Sequence, residues 1–204
     1  HPDYIAIKLL DEKGRITKAV RFLGLFTSST YTSSASSIPL VRQKVSAMLD
    51  MAGLHIETHE GKSLLRVIET FPRDELFLAP VDELFRIITS VHAIAERKQV
   101  RLFIRGNSES KFISCFVYTP REIYNTELRE RIQRILEDDL GAIESEFNTY
   151  FSESVLTRVH FVFRIAEGVP VKINEADLEH KIVRAAKSWE NILSESLIEE
   201  FGEE

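Results

Sequence analysis

The chain predicts an α+β fold in which a β-hairpin leads, a helical segment follows, and an antiparallel sheet carrying helices comes last. Three observations lead there. Apolar and polar residues alternate at period two over residues 4–26 and again from 100 to 163, whereas the period between 38 and 99 is helical. Glycine and proline fall at the changeovers. Composition is globular, with 44% hydrophobic and 28% charged residues among 204, which excludes a disordered or collagen-like chain.

Ile5, Ile7 and Leu9 alternate with Tyr4, Ala6 and Lys8, and Ile16, Val20 and Phe22 share one parity, so 4–9 and 15–26 read as two strands. Asp11-Glu12-Lys13-Gly14 makes the turn between them. A hairpin is marginal alone in water, so residues 1–30 read as the remnant of a preceding domain. Nine serines and threonines fill the eleven positions 27–37, and 31–37 is taken as a linker. The helical segment is 38–99. Its first helix is capped by Ser37, presents Leu40, Val41, Val45, Met48 and Leu49, and stops at Gly53. A second runs from about Lys62 to Thr70, Asp74 caps a short turn, and Pro80 opens a longer helix towards Lys98.

Strand periodicity returns at Val100, and Phe112–Thr119 is a strongly apolar strand ended by Pro120. Asn125 or Thr126 caps a helix with the stripe Leu128, Ile132, Ile135, Leu136 and Leu140, closed by Gly141. Ile143, Phe147 and Phe151 then share one face of a strand, and Val159, Phe161 and Phe163 one face of the next. Antiparallel pairing that joins the phenylalanines sets Glu144 and Glu146 across from members of Arg158, His160 and Arg164. Residues 100–173 therefore read strand-strand-helix-strand-strand, and 174–204 is a long helix capped by Asn174 with a stripe from Leu178 to Phe201. The architecture is ferredoxin-like, with helices on one face of an antiparallel sheet.

The net charge of −6 offers nothing to nucleic acid or an anionic membrane, and residues 174–204 carry all of it. No apolar run approaches the roughly 18 residues of a membrane span. The single cysteine, Cys115, excludes an intrachain disulfide and a thiolate zinc cluster and fits a cytoplasmic setting. Gly61-Lys62-Ser63 lacks the glycine that a phosphate loop needs five residues earlier, where Ile56 stands. His55 and His59 have the spacing of a metalloprotease helix, but their glutamate is misplaced and a third ligand is missing. With no Gly-x-Gly and no nucleophile motif, the chain presents no catalytic constellation, no metal site and no cofactor site of its own. Arg101, Arg105, Arg158 and Arg164 are the residues that could cradle a carboxylate, against the simpler reading of a solvated sheet face.

Several segments read together carry a resemblance. Arg21-Phe22-Leu23-Gly24-Leu25-Phe26-Thr27-Ser28 and Ile38-Pro39-Leu40 come first, then Glu69-Thr70-Phe71-Pro72-Arg73-Asp74-Glu75-Leu76-Phe77. Arg101–Arg105, Ser114-Cys115-Phe116-Val117-Tyr118-Thr119-Pro120-Arg121, Tyr124–Arg129 and Ser188-Trp189-Glu190 follow in order. The chain resembles the N-terminal half of the large bacterial NAD-specific glutamate dehydrogenases. That resemblance implies a non-catalytic fragment containing one ACT-like domain, with NAD and the dehydrogenase domain elsewhere in the parent chain. It also implies a homo-oligomer, contacts with the remainder of the parent, and an amino-acid effector; the residues themselves offer Arg101, Arg105, Gly106, Arg158 and Arg164 as candidate effector or anion contacts. A free-standing interaction or amino-acid-binding module is the other reading.

Overall fold

A computed structural model describes residues 3–94, 97–106, 111–152, 154–166 and 171–187. Two compact units divide at residues 88 and 89.

In the first unit, strands β1 (Asp3–Leu10) and β2 (Ile16–Gly24) form an antiparallel hairpin, with Ile5 opposite Phe22 and Ile7 opposite Val20. Gly14 takes φ 75° in its turn, where the Asp11 carboxylate accepts the N–H groups of Lys13 and Arg15. Every residue of β2 is exposed. The serine–threonine segment is less irregular than its composition suggests. It holds a short helix α1 (Ser28–Thr32) and a 3-10 turn at Ala35–Ser37. Tertiary bonds supply the order that local propensity lacks. Glu69 accepts the Ser34 hydroxyl at 2.6 Å and the Ala35 N–H at 2.9 Å, while Arg73 reaches both Glu69 and the Ser33 carbonyl.

Helices α2 (Val41–Met51), α3 (His59–Thr70), α4 (Arg73–Leu78) and α5 (Val81–Ile94) follow. Three starts differ from expectation. Ser37 belongs to the 3-10 turn, and the residue before α2 is Leu40 at φ 69°, a conformation rarely taken by a side chain of that size. Thr58, whose hydroxyl accepts the Gly61 N–H, starts α3 one turn before Lys62. Pro72 rather than Asp74 precedes α4, consistent with the tolerance of first turns for proline. Gly61, barren as a phosphate-loop residue, has a packing role: a Cβ there would collide with the His55 carbonyl. Val41, Val45, Met48, Leu64, Ile68, Leu76 and Leu84 are buried.

The second unit is a four-stranded antiparallel sheet with two helices. Strands β3 (Arg101–Arg105) and β4 (Phe112–Pro120), helix α6 (Thr126–Leu140), strands β5 (Ala142–Phe151) and β6 (Leu156–Ile165), and helix α7 (Glu175–Ala186) give the order β3-β4-β6-β5. This is the strand order of the ferredoxin-like β-α-β-β-α-β unit with the chain begun at the second strand. Asn125 accepts the Leu128 N–H, Gly141 ends α6 at φ 63°, and Asn174 accepts the Asp177 N–H. Leu102, Ile104, Ile113, Cys115, Val117, Val159, Phe161 and Phe163 meet Leu128, Ile132, Leu136, Leu140, Leu178 and Ile182 in one core. Burial pushes the Cys115 thiol well above its ordinary range, and the nearby Glu175 charge adds to this, as befits an inert core thiol. The expected stripe beyond Lys187, including Trp189, lies outside the described residues.

Burial works against ionisation of Glu69, but the bonds from Ala35, Ser34 and Arg73 outweigh it and hold its pKa below the ordinary 4.5. A depressed carboxylate pKa contributes stability above the unfolded value and loses it as pH falls through the folded one. Acid titration of stability should therefore show a loss beginning near pH 4.5 and extending below it. Glu69→Gln should weaken the chain at pH 7 and flatten that acid limb in urea-unfolding curves measured across pH.

Candidate functional site

The arginines expected to bind an anion sit on the sheet face opposite α6 and α7, but the register spreads them apart. Arg101 pairs with Tyr118, Tyr118 with Arg158, and Arg158 with Tyr150, making one rung across all four strands. Two strand spacings separate Arg101 from Arg158, about 10 Å between backbones. Arg105 lies opposite Ser114, and Arg164 opposite Phe112, about 14 and 20 Å along the sheet from that rung. The four guanidinium groups do not converge on one point.

Each has a protein partner. Arg101 Nε donates to Glu179 at 3.0 Å and its guanidinium lies over Phe103. Arg105 reaches the Ser114 hydroxyl at 3.3 Å. Arg158, nearly buried, lies 4.8 Å from the Tyr150 ring centroid and hydrogen-bonds Tyr118. Burial raises the Tyr118 pKa, and the Arg158 charge and hydrogen bond oppose that rise. Arg164 forms a two-pronged pair with Glu144, which raises the arginine's pKa and lowers the glutamate's. The expected partner of the second acid is absent from the register, since Glu146 faces Val162. Gly106 takes φ 127° at the end of β3, against Ile113.

A different feature gathers charge. At the end of the sheet, the start of β3, the end of β4, the first turn of α6 and the last turn of α7 enclose a cleft of about 860 Å³. Its floor includes Val100, Ile123, Leu128 and Val183. Its rim holds four cations, Lys98, Arg101, Arg131 and Lys187, and three acids, Glu122, Glu127 and Glu179. Lys98 pairs with Glu122 at 2.7 Å, and Arg131 bridges Glu127 to the Ala185 carbonyl, each at 3.0 Å. Of the arginines singled out by sequence, only Arg101 is here. The others come from segments up to 89 residues apart, as from Lys98 to Lys187, so no local spacing announces them.

Glu179 joins the cleft to the sheet edge. One of its carboxylate oxygens accepts Arg101 Nε and the Leu102 N–H at 2.8 Å, and Glu175 accepts the Ile104 N–H at 3.2 Å. Those amides belong to an edge strand and would otherwise face solvent. Among the described residues there is no cluster of three His, Cys, Asp or Glu placed to hold a metal ion, and no helix is long and apolar enough to cross a membrane.

Comparison with known proteins accounts for both units. The model of the glutamate dehydrogenase helical motif 1 matches residues 38–97, and that of the glutamate dehydrogenase ACT2 domain matches 101–190. The chain belongs to the NAD-specific glutamate dehydrogenase family. It is 43% identical over all 204 residues to the NAD-specific glutamate dehydrogenase of Halomonas elongata, of which it spans 13%. Identity is 42% over 203 residues to that of Pseudomonas aeruginosa, 12% of the protein, and 33% over 181 residues to that of Mycobacterium tuberculosis, 11% of it. The chain thus spans about an eighth of the length of these relatives. Helices α2–α5 fall in helical motif 1, the sheet with α6 and α7 falls in ACT2, and the β1–β2 hairpin lies outside both matches.

Removing Glu179 orphans a guanidinium and an edge amide together. Glu179→Ala should destabilise the ACT2 unit by about 1.5–3 kcal/mol, the range for hydrogen bonds to charged groups. Hydrogen exchange should speed up at the Leu102 amide and remain slow at Val159 in the middle of the sheet.

Proposed function

We propose that this chain is a regulatory and assembly segment of an NAD-dependent glutamate dehydrogenase. The parent enzyme oxidatively deaminates L-glutamate to 2-oxoglutarate and ammonia while reducing NAD, in the cytoplasm. The segment itself catalyses nothing and joins its parent to further copies in a homo-oligomer. The observation that carries this reading is the succession of helical motif 1 and ACT2 along this chain, together with its 42–43% identity to NAD-specific glutamate dehydrogenases.

The cleft supports the regulatory half. Four cations and three acids line the cleft together with apolar side chains, a donor set that suits a free amino acid. A guanidinium or ammonium would take the carboxylate, a glutamate the ammonium group, and the floor the side chain. Binding would require exchange of existing ion pairs for ligand ones. Because the Lys98–Glu122 and Arg131–Glu127 pairs are exposed, exchanging them involves little net energy.

Thermal unfolding of the chain with each L-amino acid, 2-oxoglutarate or NAD at millimolar concentration tests the proposal. A ligand at 100 times its dissociation constant stabilises by about 2.7 kcal/mol, a visible shift. A shift with one amino acid and none with NAD is expected, and Arg131→Ala should abolish it. Glutamate-dependent reduction of NAD by the purified chain would overturn the non-catalytic assignment.

A further inference from the structure

We infer that the ligand of the cleft is an α-amino acid with an aliphatic side chain, and that Arg101 and Glu179 are the pair that holds its carboxylate and its ammonium group. This rests on the effector half of the function proposed above and names the ligand class and its contacts. Three of the ion pairs that border the cleft differ in how far water reaches them. The Glu179 side chain is 23% exposed, against 59% for Glu122 and 77% for Glu127. Arg101, at 38%, is the least exposed of the three cations paired with those acids. A pair shielded from solvent discriminates charge more strongly than one on the rim.

The same pair has unused capacity. Oε2 of Glu179 accepts both Arg101 Nε and the Leu102 N–H. Its Oε1, and both Nη groups of Arg101, make no hydrogen bond among the described residues. Arg131, by contrast, has both Nη groups engaged, by Glu127 and by the Ala185 carbonyl. It therefore holds the wall at Ala185 and reaches a ligand only by giving up a bond. An α-amino acid carries opposite charges on one carbon, and the two protein charges here touch at 3.0 Å. Its carboxylate meets the Nη groups of Arg101 and its ammonium group the open oxygen of Glu179. Whatever exchange the exposed pairs undergo as a ligand enters, this pair need not part.

The floor sets the class. A charged side chain laid on Val100, Ile123, Leu128 and Val183 would lose hydration without gaining a partner, whereas an aliphatic one buries its surface there. Gly106, which the sequence offered as a contact, follows the far end of β3 about 17 Å away and takes no part. Occupancy also has a signature in the backbone. A ligand that bridges Arg101 to Glu179 fixes the carboxylate that accepts the Leu102 amide, so α7 is held more firmly against β3.

Leucine, 4-methylpentanoate and 3-methylbutylamine share one side chain and differ in the charges they carry. Calorimetric titration of the full chain with each therefore separates the two contacts. The wild-type chain should bind leucine about tenfold or more tightly than either analogue. Glu179→Gln, whose amide oxygen can still accept the Leu102 N–H, should bind leucine and 4-methylpentanoate alike. Arg101→Gln should bind leucine and 3-methylbutylamine alike. In the wild-type chain leucine should slow hydrogen exchange at the Leu102 amide, a readout that needs no variant. Circular dichroism identifies any variant that fails to fold. Leucine binding with that exchange unchanged, and with both preferences intact in the variants, would overturn the Arg101–Glu179 assignment and leave the cleft to other contacts. Binding confined to amino acids with charged side chains would overturn the aliphatic class and keep the effector reading. If no amino acid binds, the effector reading and this assignment fall together.

Discussion

The contact between α7 and the edge of β3 organises the second unit. Two carboxylates one helical turn apart, Glu175 and Glu179, reach the amides of two residues spaced by one pleat, Ile104 and Leu102. The helix repeat and the strand repeat match there only because the last helix lies along the first strand. That placement follows from the permuted connectivity, in which the final helix occupies the position leading towards β3. A single contact therefore closes one sheet edge, holds the Arg101 guanidinium against α7, and builds one wall of the cleft.

Much of this was legible in the residues. The phenylalanine parity of Val159, Phe161 and Phe163 and the stripe from Leu128 to Leu140 define the core, because burial on one side imposes strict periodicity on strand and helix alike. Asn125, Gly141 and Asn174 mark helix ends by side-chain chemistry that acts within four residues. Local rules failed where distant residues decide. The serine–threonine run became ordered through Glu69 and Arg73, more than thirty residues away, and Leu40 took a positive φ that its own propensity opposes.

The site was less legible for a related reason. Arginines are conspicuous on alternating strands, yet register decides which of them can cooperate, and register depends on bulges and turns. The rung through Arg101 and Arg158 and the pair of Arg164 with Glu144 divide them between opposite ends of the sheet. The charges that do gather belong to helix ends and strand ends, where a cleft forms through chain reversal rather than through any motif. Lys98, Arg131 and Lys187 look like solvated surface in the sequence.

The cleft lies where strand ends and helix ends of the second unit come together. Lys98, just ahead of β3, and Lys187, just past α7, both line it, so the two ends of the described sheet-and-helix unit meet at the same opening. Anything lodged there would press on the approach to β3 and on the end of α7 together, and the buried core would not have to move.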